Sequence, residues 1–131
     1  SAAYGLTESE YEKFSALPAL VGKQVSFVPD HTLSLSFSYE HDSGISGHLG
    51  TRTIGKTHYW NNTGTNNTDI QDTYTLLDAS IGFERNGWGV NVFGTNLTDE
   101  EYYSSLVSSL TGSPGIVGSP RVIGLSISKE F

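Results

Sequence analysis

Four histidines, His31, His41, His48 and His58, are the residues of this chain best suited to hold a metal. No two of them have the helical i, i+4 spacing of a metal-binding pair, and no cysteine is present to complete a thiolate site. No metal ligand is assigned. The oxygen-rich group Asn66, Asn67, Asp69 and Asp72 lacks the order of acids around a central glycine that an EF-hand calcium loop requires, and reads as a solvated loop. Ser, His and Asp are abundant, yet no Gly-x-Ser-x-Gly nucleophile elbow occurs, so neither enzymatic activity nor a cofactor is expected. Asn61-Asn62-Thr63, Asn66-Asn67-Thr68 and Asn96-Leu97-Thr98 match the N-glycosylation acceptor pattern, but turn chemistry accounts for them better. In Asn96-Leu97-Thr98-Asp99 the Asn and Asp side chains are expected to bond nearby backbone where a strand changes character.

The aromatic residues carry the remaining chemistry. Tyr59, Trp60, Tyr74, Tyr102 and Tyr103 fall near expected strand ends. There they suit an interfacial girdle, with the ring in hydrocarbon and the hydroxyl or indole N–H at the wet boundary. The second role open to Tyr59, Trp60, Tyr102 and Tyr103 is stacking on a ligand.

Those rings must be placed by strands, because the chain alternates with period two. From His31 to Glu40, Leu33, Leu35, Phe37 and Tyr39 take one face and Thr32, Ser34, Ser36 and Ser38 the other. Leu77, Ala79, Ile81 and Phe83 repeat the pattern against Asp78, Ser80, Gly82 and Glu84, as do Ile123, Leu125 and Ile127 against Gly124, Ser126 and Ser128. Trp88, Val90 and Val92 begin a further strand, with Phe93 out of phase. Weaker alternation predicts strands over about 2–14 and 49–60, the second diluted by Gly50 and Gly55, with a short helical or irregular stretch over 7–14 as the alternative for the first.

The connections are short and long in turn. His41 to Gly47 and Glu84 to Gly87 are tight, the latter holding Asn86-Gly87, the favoured pair of a type I′ hairpin. Those near 15–30, 61–73 and 104–120 are long. Strict alternation of long and short connections through six strands is the rhythm of an up-and-down transmembrane barrel, with its short turns on one side and its long loops on the other. Six strands do not close such a barrel, and open edges in lipid would leave backbone groups unpaired. Further strands are expected from elsewhere.

Composition agrees. Fifteen glycines, seven tyrosines and only four prolines favour an all-β chain. No apolar run approaches the roughly 20 residues of a spanning helix, a test that a barrel evades because only every second residue faces lipid. The formal charge of −7 with seven scattered Lys and Arg excludes nucleic acid as a partner. The absence of methionine, and an N-terminus that opens directly in strand-like sequence, are read as a piece of something larger.

Four stretches, in order, resemble the end of TonB-dependent outer-membrane receptors. They are Gly22-Lys23-Gln24-Val25-Ser26-Phe27-Val28-Pro29-Asp30-His31-Thr32-Leu33, Leu77-Asp78-Ala79-Ser80-Ile81-Gly82-Phe83, Asn96-Leu97-Thr98-Asp99-Glu100-Glu101-Tyr102, and Ser119-Pro120-Arg121 before a strand ending in Phe131. The resemblance implies that residues 1–131 are about six C-terminal strands of a 22-stranded antiparallel barrel in the bacterial outer membrane. It also implies that the whole receptor imports a scarce ligand, siderophore-iron, haem, cobalamin or carbohydrate, with energy coupled through TonB. The implied partners are the rest of the barrel and its plug, outer-membrane lipid, the TonB complex and a small-molecule ligand. Phe131 takes the family's role of assembly signal, and Lys129 departs from the family by placing a cation where an apolar residue is commoner.

The competing reading is a soluble carbohydrate-binding or adhesion β-sandwich, which would turn Leu33, Phe37, Ile81 and Leu125 into a shared core. The barrel instead turns Leu33, Leu35, Phe37, Ile81, Phe83, Leu125 and Ile127 to lipid and Ser34, Ser36, Asp78, Ser80, Glu84 and Ser126 to a wet lumen. It also predicts that the chain alone forms no stable soluble monomer, because its first and last strands expose edges.

Overall fold

A computed structural model describes residues 1–10, 12, 13, 15, 21–59, 69–106 and 115–130. Its main element is a six-stranded sheet built from β1 (Ala2–Leu6), β2 (His31–Glu40), β3 (Ile45–Ile54), β6 (Tyr74–Arg85), β7 (Trp88–Thr95) and β10 (Val122–Lys129). Spatial order follows chain order and every neighbouring pair is antiparallel. Two small ribbons grow out of the long connections: β4 (Thr57–Tyr59) with β5 (Asp69–Gln71), and β8 (Tyr103–Leu106) with β9 (Gly115–Val117).

Register carries the alternation across the sheet. Tyr39, Gly47, Ile81, Val92 and Leu125 form one row and Ile45, Phe83, Val90 and Ile127 the next, all on one face. On the opposite face Glu40, Ser46, Gly82, Asn91 and Ser126 share a row, beside Ser38, His48, Ser80, Phe93 and Gly124. We call these the outer and inner faces. Phe93 breaks the alternation because its ring lies flat over Gly124 on the inner face, occupying the space a Cβ there would need.

Among the described residues, nothing packs on the outer face. Phe37 is 66% exposed, and Ile81, Leu125 and Ile127 are each 62% exposed, whereas Tyr59 is the sole buried apolar residue among those described. Each such side chain forgoes about 1.5–3 kcal/mol by standing in water. A sandwich would cover this stripe with a second sheet, but the other sheets are two-stranded ribbons. The β-sandwich is therefore the wrong architecture. β6, at 12 residues, and β2 and β3, at 10 each, reach the roughly 9–11 residues a tilted strand needs to cross a bilayer core.

The tight turns close one end. Asn86 (φ 53°) and Gly87 (φ 74°) both take the left-handed conformation that a type I′ turn demands. At the other tight turn the Gly44 amide donates to the His41 carbonyl at 2.9 Å, and the His41 amide donates to the Ile45 carbonyl at 2.9 Å. Three boundaries differ from the sequence reading. The first strand ends at Leu6, where the alternation yields to Thr7-Glu8-Ser9-Glu10 and the Thr7 amide turns to the Asp30 carbonyl. The strand expected over 49–60 is β3 followed by the separate β4, and β3 starts at Ile45, which shortens the turn. Gly47 hid that start, because it interrupts the side-chain pattern while sitting between Tyr39 and Ile81 in a fully paired row.

Candidate functional site at the long-connection end

All three long connections leave the sheet at the end opposite the tight turns, and there the chain builds structure of its own. Residues 27–30 are tied to β4 and its approach: the Phe27 amide donates to the His58 carbonyl at 2.8 Å, the Asp30 amide to the Lys56 carbonyl at 3.1 Å, and Pro29 bridges Thr57. Phe27 meets Tyr59 edge to face, with centroids 5.3 Å apart and rings at 87°. Tyr59 keeps 6% of its surface exposed, and burial raises its phenol pKa above the ordinary value. The neutral phenol thus contributes fully to local stability below pH 10, and that contribution falls as pH rises further. Removing this group by Tyr59→Phe in the full receptor is expected to delete one upward-shifted step from a tyrosinate absorbance titration. Loss of an ordinary, unshifted step instead would place the phenol in water.

A second cluster lies beside it. Tyr74 shares the inner face with Asp78 and Ser80 and carries Tyr102 stacked on it, with centroids 4.5 Å apart and rings 16° from parallel. Such a stack contributes roughly 0.5–1.5 kcal/mol beyond area burial. Tyr102 also backs onto the backbone of Gly118, whose amide donates to the Tyr102 carbonyl at 2.7 Å. Tyr103 opens β8, is 44% exposed, and its amide donates to Gln71 Oε1 at 2.9 Å, which links the two ribbons. Trp60 and Phe131 lie outside the described residues, as do Asn66 and Asn67 of the oxygen-rich loop.

Asn96 anchors this end of the wall. It follows β7 with φ 48° and is 4% exposed. Its amide donates to Asp78 Oδ1 at 3.0 Å, and the Leu97 amide then resumes the ladder on the Leu77 carbonyl at 2.8 Å. One extra residue in a left-handed conformation between two ladder bonds is a β-bulge, and it re-aims the chain. The Asn96 side chain then donates to the carbonyls of Glu100 (2.9 Å) and Ser119 (3.0 Å) and accepts from the Glu100 amide (2.9 Å). Asp99 completes the junction by accepting the Arg121 amide at 3.1 Å and facing its guanidinium at 3.4 Å. The local bonding expected of Asn96 and Asp99 is thus present, and it reaches across the whole connection to Ser119.

The histidines are dispersed. His31 faces Asp30 at 2.8 Å, His41 contacts Ser43 at 2.8 Å, and His48 contacts Ser38 at 2.9 Å. Among the described residues no three His, Cys, Asp or Glu side chains converge as a metal site. The chemistry this end offers is recognition: aromatic faces, and a cleft of about 650 Å³ lined by Asp99, Glu100, Glu101, Tyr102, Tyr103 and Pro120 among others. The Tyr74–Tyr102 stack and the Gln71 link were invisible in the sequence, since both join residues about 30 positions apart through ribbons that show no alternation.

Known proteins share this arrangement. The family model described as TonB dependent receptor-like, beta-barrel matches residues 1–97. The ferric yersiniabactin uptake receptor FyuA from Yersinia pestis superposes with a TM-score of 0.69 at 23% identity, covering 85% of this chain and 18% of that one. The ferric-catecholate import receptor Fiu from Escherichia coli K12 gives 0.67 at 24% identity in its closed form, over 84% of this chain and 15% of the receptor. Its open form gives 0.66 at 27% identity, over 79% and 16%. The chain thus spans less than a fifth of the length of these receptors.

Proposed function

From the premise that this chain belongs to the TonB-dependent receptor family of bacterial outer-membrane β-barrels, we propose that it forms part of the wall and outer mouth of an active importer. In this reading the whole receptor takes up a scarce chelated nutrient, with a siderophore-bound iron as the leading class, and draws its energy through TonB. The work is transport, not catalysis. The observation that carries the reading is the polarity of the meander: an uncovered apolar stripe on one face, with the three long connections gathered at one end. That design lets one face meet lipid while the opposite end of the wall meets ligand. The names of FyuA and Fiu, an uptake receptor and an import receptor for ferric chelates, support siderophore-iron over haem, cobalamin or carbohydrate. Tyr103 is the ligand-facing residue we favour, because it is 44% exposed, whereas Tyr59 is covered by Phe27 and Tyr102 lies stacked on Tyr74 and against Gly118.

The test is uptake by the full-length receptor in an iron-starved strain lacking its own siderophore receptors, using radio-iron loaded separately onto catecholate, phenolate and hydroxamate chelators. One class should accumulate inside cells that have TonB and only bind at the surface of cells that lack it. Accumulation independent of TonB would refute energy coupling, and failure of every ferric chelate to bind would refute the ligand class.

A further inference from the structure

Charge on the six-stranded sheet is sorted by face. Its three acids, Glu40, Asp78 and Glu84, all lie on the inner face. Of its three basic residues, Arg52 is inner, whereas Arg85 and Lys129 are both outer. These two fall in a single row, Arg85 opposite Trp88 and Trp88 opposite Lys129, at the last paired position of β6 and β10 and the first of β7. Lys129 Nζ sits 4.4 Å from the centroid of the Trp88 ring. The indole is 50% exposed, and the next row toward the middle of the sheet is wholly apolar: Ile45, Phe83, Val90 and Ile127. A row that ends a lipid-facing stripe lies at the headgroup level of the membrane.

We propose that Arg85, Trp88 and Lys129 form a binding site for the headgroup phosphate of an anionic phospholipid in the leaflet on the tight-turn side. The argument is one of charge complementarity at a fixed depth. In a chain of net charge −7, the outer face of the sheet carries no acid and gathers both of its cations in one row. Directly opposed residues stand about 4.5–5.5 Å apart at Cβ, so both cations flank the same indole within reach of one phosphate. Arg85 supplies a planar fork suited to phosphate oxygens, and Lys129 a point charge that the Trp88 face holds in place. The acyl chains then descend along Ile127, Val90 and Phe83. This also explains the departure at Lys129, a cation at the end of a lipid-facing strand that an apolar residue would otherwise occupy. The proposal rests on membrane placement of the sheet and is independent of what the receptor imports.

Trp88 is its own reporter. The full-length receptor is reconstituted in phosphatidylcholine vesicles carrying a minor share of lipid with brominated acyl chains, either phosphatidylglycerol or phosphatidylcholine. The Trp88 signal is isolated by subtracting the Trp88→Phe variant. Brominated phosphatidylglycerol should quench Trp88 as if enriched around it up to roughly thirtyfold over phosphatidylcholine, the ceiling two surface cations supply. In the Arg85→Gln/Lys129→Gln receptor that preference should vanish while the folded fraction, read by heat-modifiable gel mobility, stays intact. The charge-matched Lys23→Gln/Lys56→Gln receptor, altered at the opposite end, should keep it. Equal quenching by the two lipids in the unaltered receptor, or a preference that survives loss of Arg85 and Lys129, would overturn the site. Should the double variant misfold, the same preference is read as a function of salt in the unaltered receptor, where it must weaken as ionic strength rises; a salt-independent preference counts against the proposal.

Discussion

In the full-length receptor, Ile81→Lys is expected to cut the folded amount in the outer membrane sharply, while Ser80→Lys, one residue earlier, leaves it nearly unchanged. Ile81 lies on the outer face, 62% exposed, in a row with Tyr39, Val92 and Leu125. A lysine on a lipid-facing strand costs about 2–4 kcal/mol at the bilayer midplane and less toward the interface. That is a large fraction of the roughly 5–15 kcal/mol that keeps a protein folded. Ser80 sits with His48 and Phe93 on the inner face, where water solvates an ammonium. Because successive residues of a strand point to opposite faces, the two substitutions differ only in which medium receives the charge. Heat-modifiable gel mobility of membrane fractions, compared between the two variants, gives the answer. Equal losses would mean that the sheet has no lipid face, and the greater loss at Ser80 would mean that inner and outer are exchanged.

That contrast was readable in the sequence because it depends only on parity. Leu33 to Tyr39, Leu77 to Phe83 and Ile123 to Ile127 alternate without interruption, and in the rows of Ile81 and Phe83 their partners Val92, Leu125, Ile45, Val90 and Ile127 are apolar too, whereas Leu33 and Leu35 face Thr53 and Thr51. The turns were legible for a different reason. Asn86-Gly87 is one of few pairs that tolerate positive φ at both central positions, so chemistry alone announced the hairpin. Legibility failed where a residue's partner is distant and its own pattern is silent. Gly47 has no side chain to show its face, so the start of β3 was missed by four residues, from Ile45 to Leu49. The ribbons β4–β5 and β8–β9 are only three or four residues per strand and pack on the connections, not on the sheet, so no run of alternation is long enough to announce them. Tyr59 illustrates the consequence for the site. Its type and position suggested a ring at the mouth, but only the pairing of residues 27–30 with β4 revealed that Phe27 covers it.

Asn96→Ala is expected to release the whole connection between β7 and β10 without dismantling the sheet. The side chain makes three hydrogen bonds from a site 4% exposed to solvent, and two of its partners, the carbonyls of Glu100 and Ser119, lie on opposite ends of the connection. Net hydrogen bonds contribute about 1 kcal/mol each, and a buried partner left unsatisfied costs about 1–3 kcal/mol. Alanine also tolerates φ 48° poorly, at a cost of roughly 1–2 kcal/mol. A total near 3–5 kcal/mol follows from these terms, and it falls on one junction. The bond from the Asn96 amide to the Asp78 carboxylate and the ladder bond from the Leu97 amide to the Leu77 carbonyl survive in the variant, so β6 and β7 stay paired. The signature is therefore local: protease added outside intact cells should cleave within residues 100–119 at least a hundredfold faster, with heat-modifiable mobility retained, because cleavage there tracks local opening. Asn96→Gly should recover part of the loss by relieving the backbone, and Asn96→Asp should recover little, since a carboxylate facing two carbonyls accepts the Glu100 amide but has no proton to donate. Protection in the alanine variant equal to that of the unaltered receptor would show that the ribbon is held by its own contacts, Tyr102 on Tyr74 and the Tyr103 amide on Gln71, and that Asn96 only shapes the bulge.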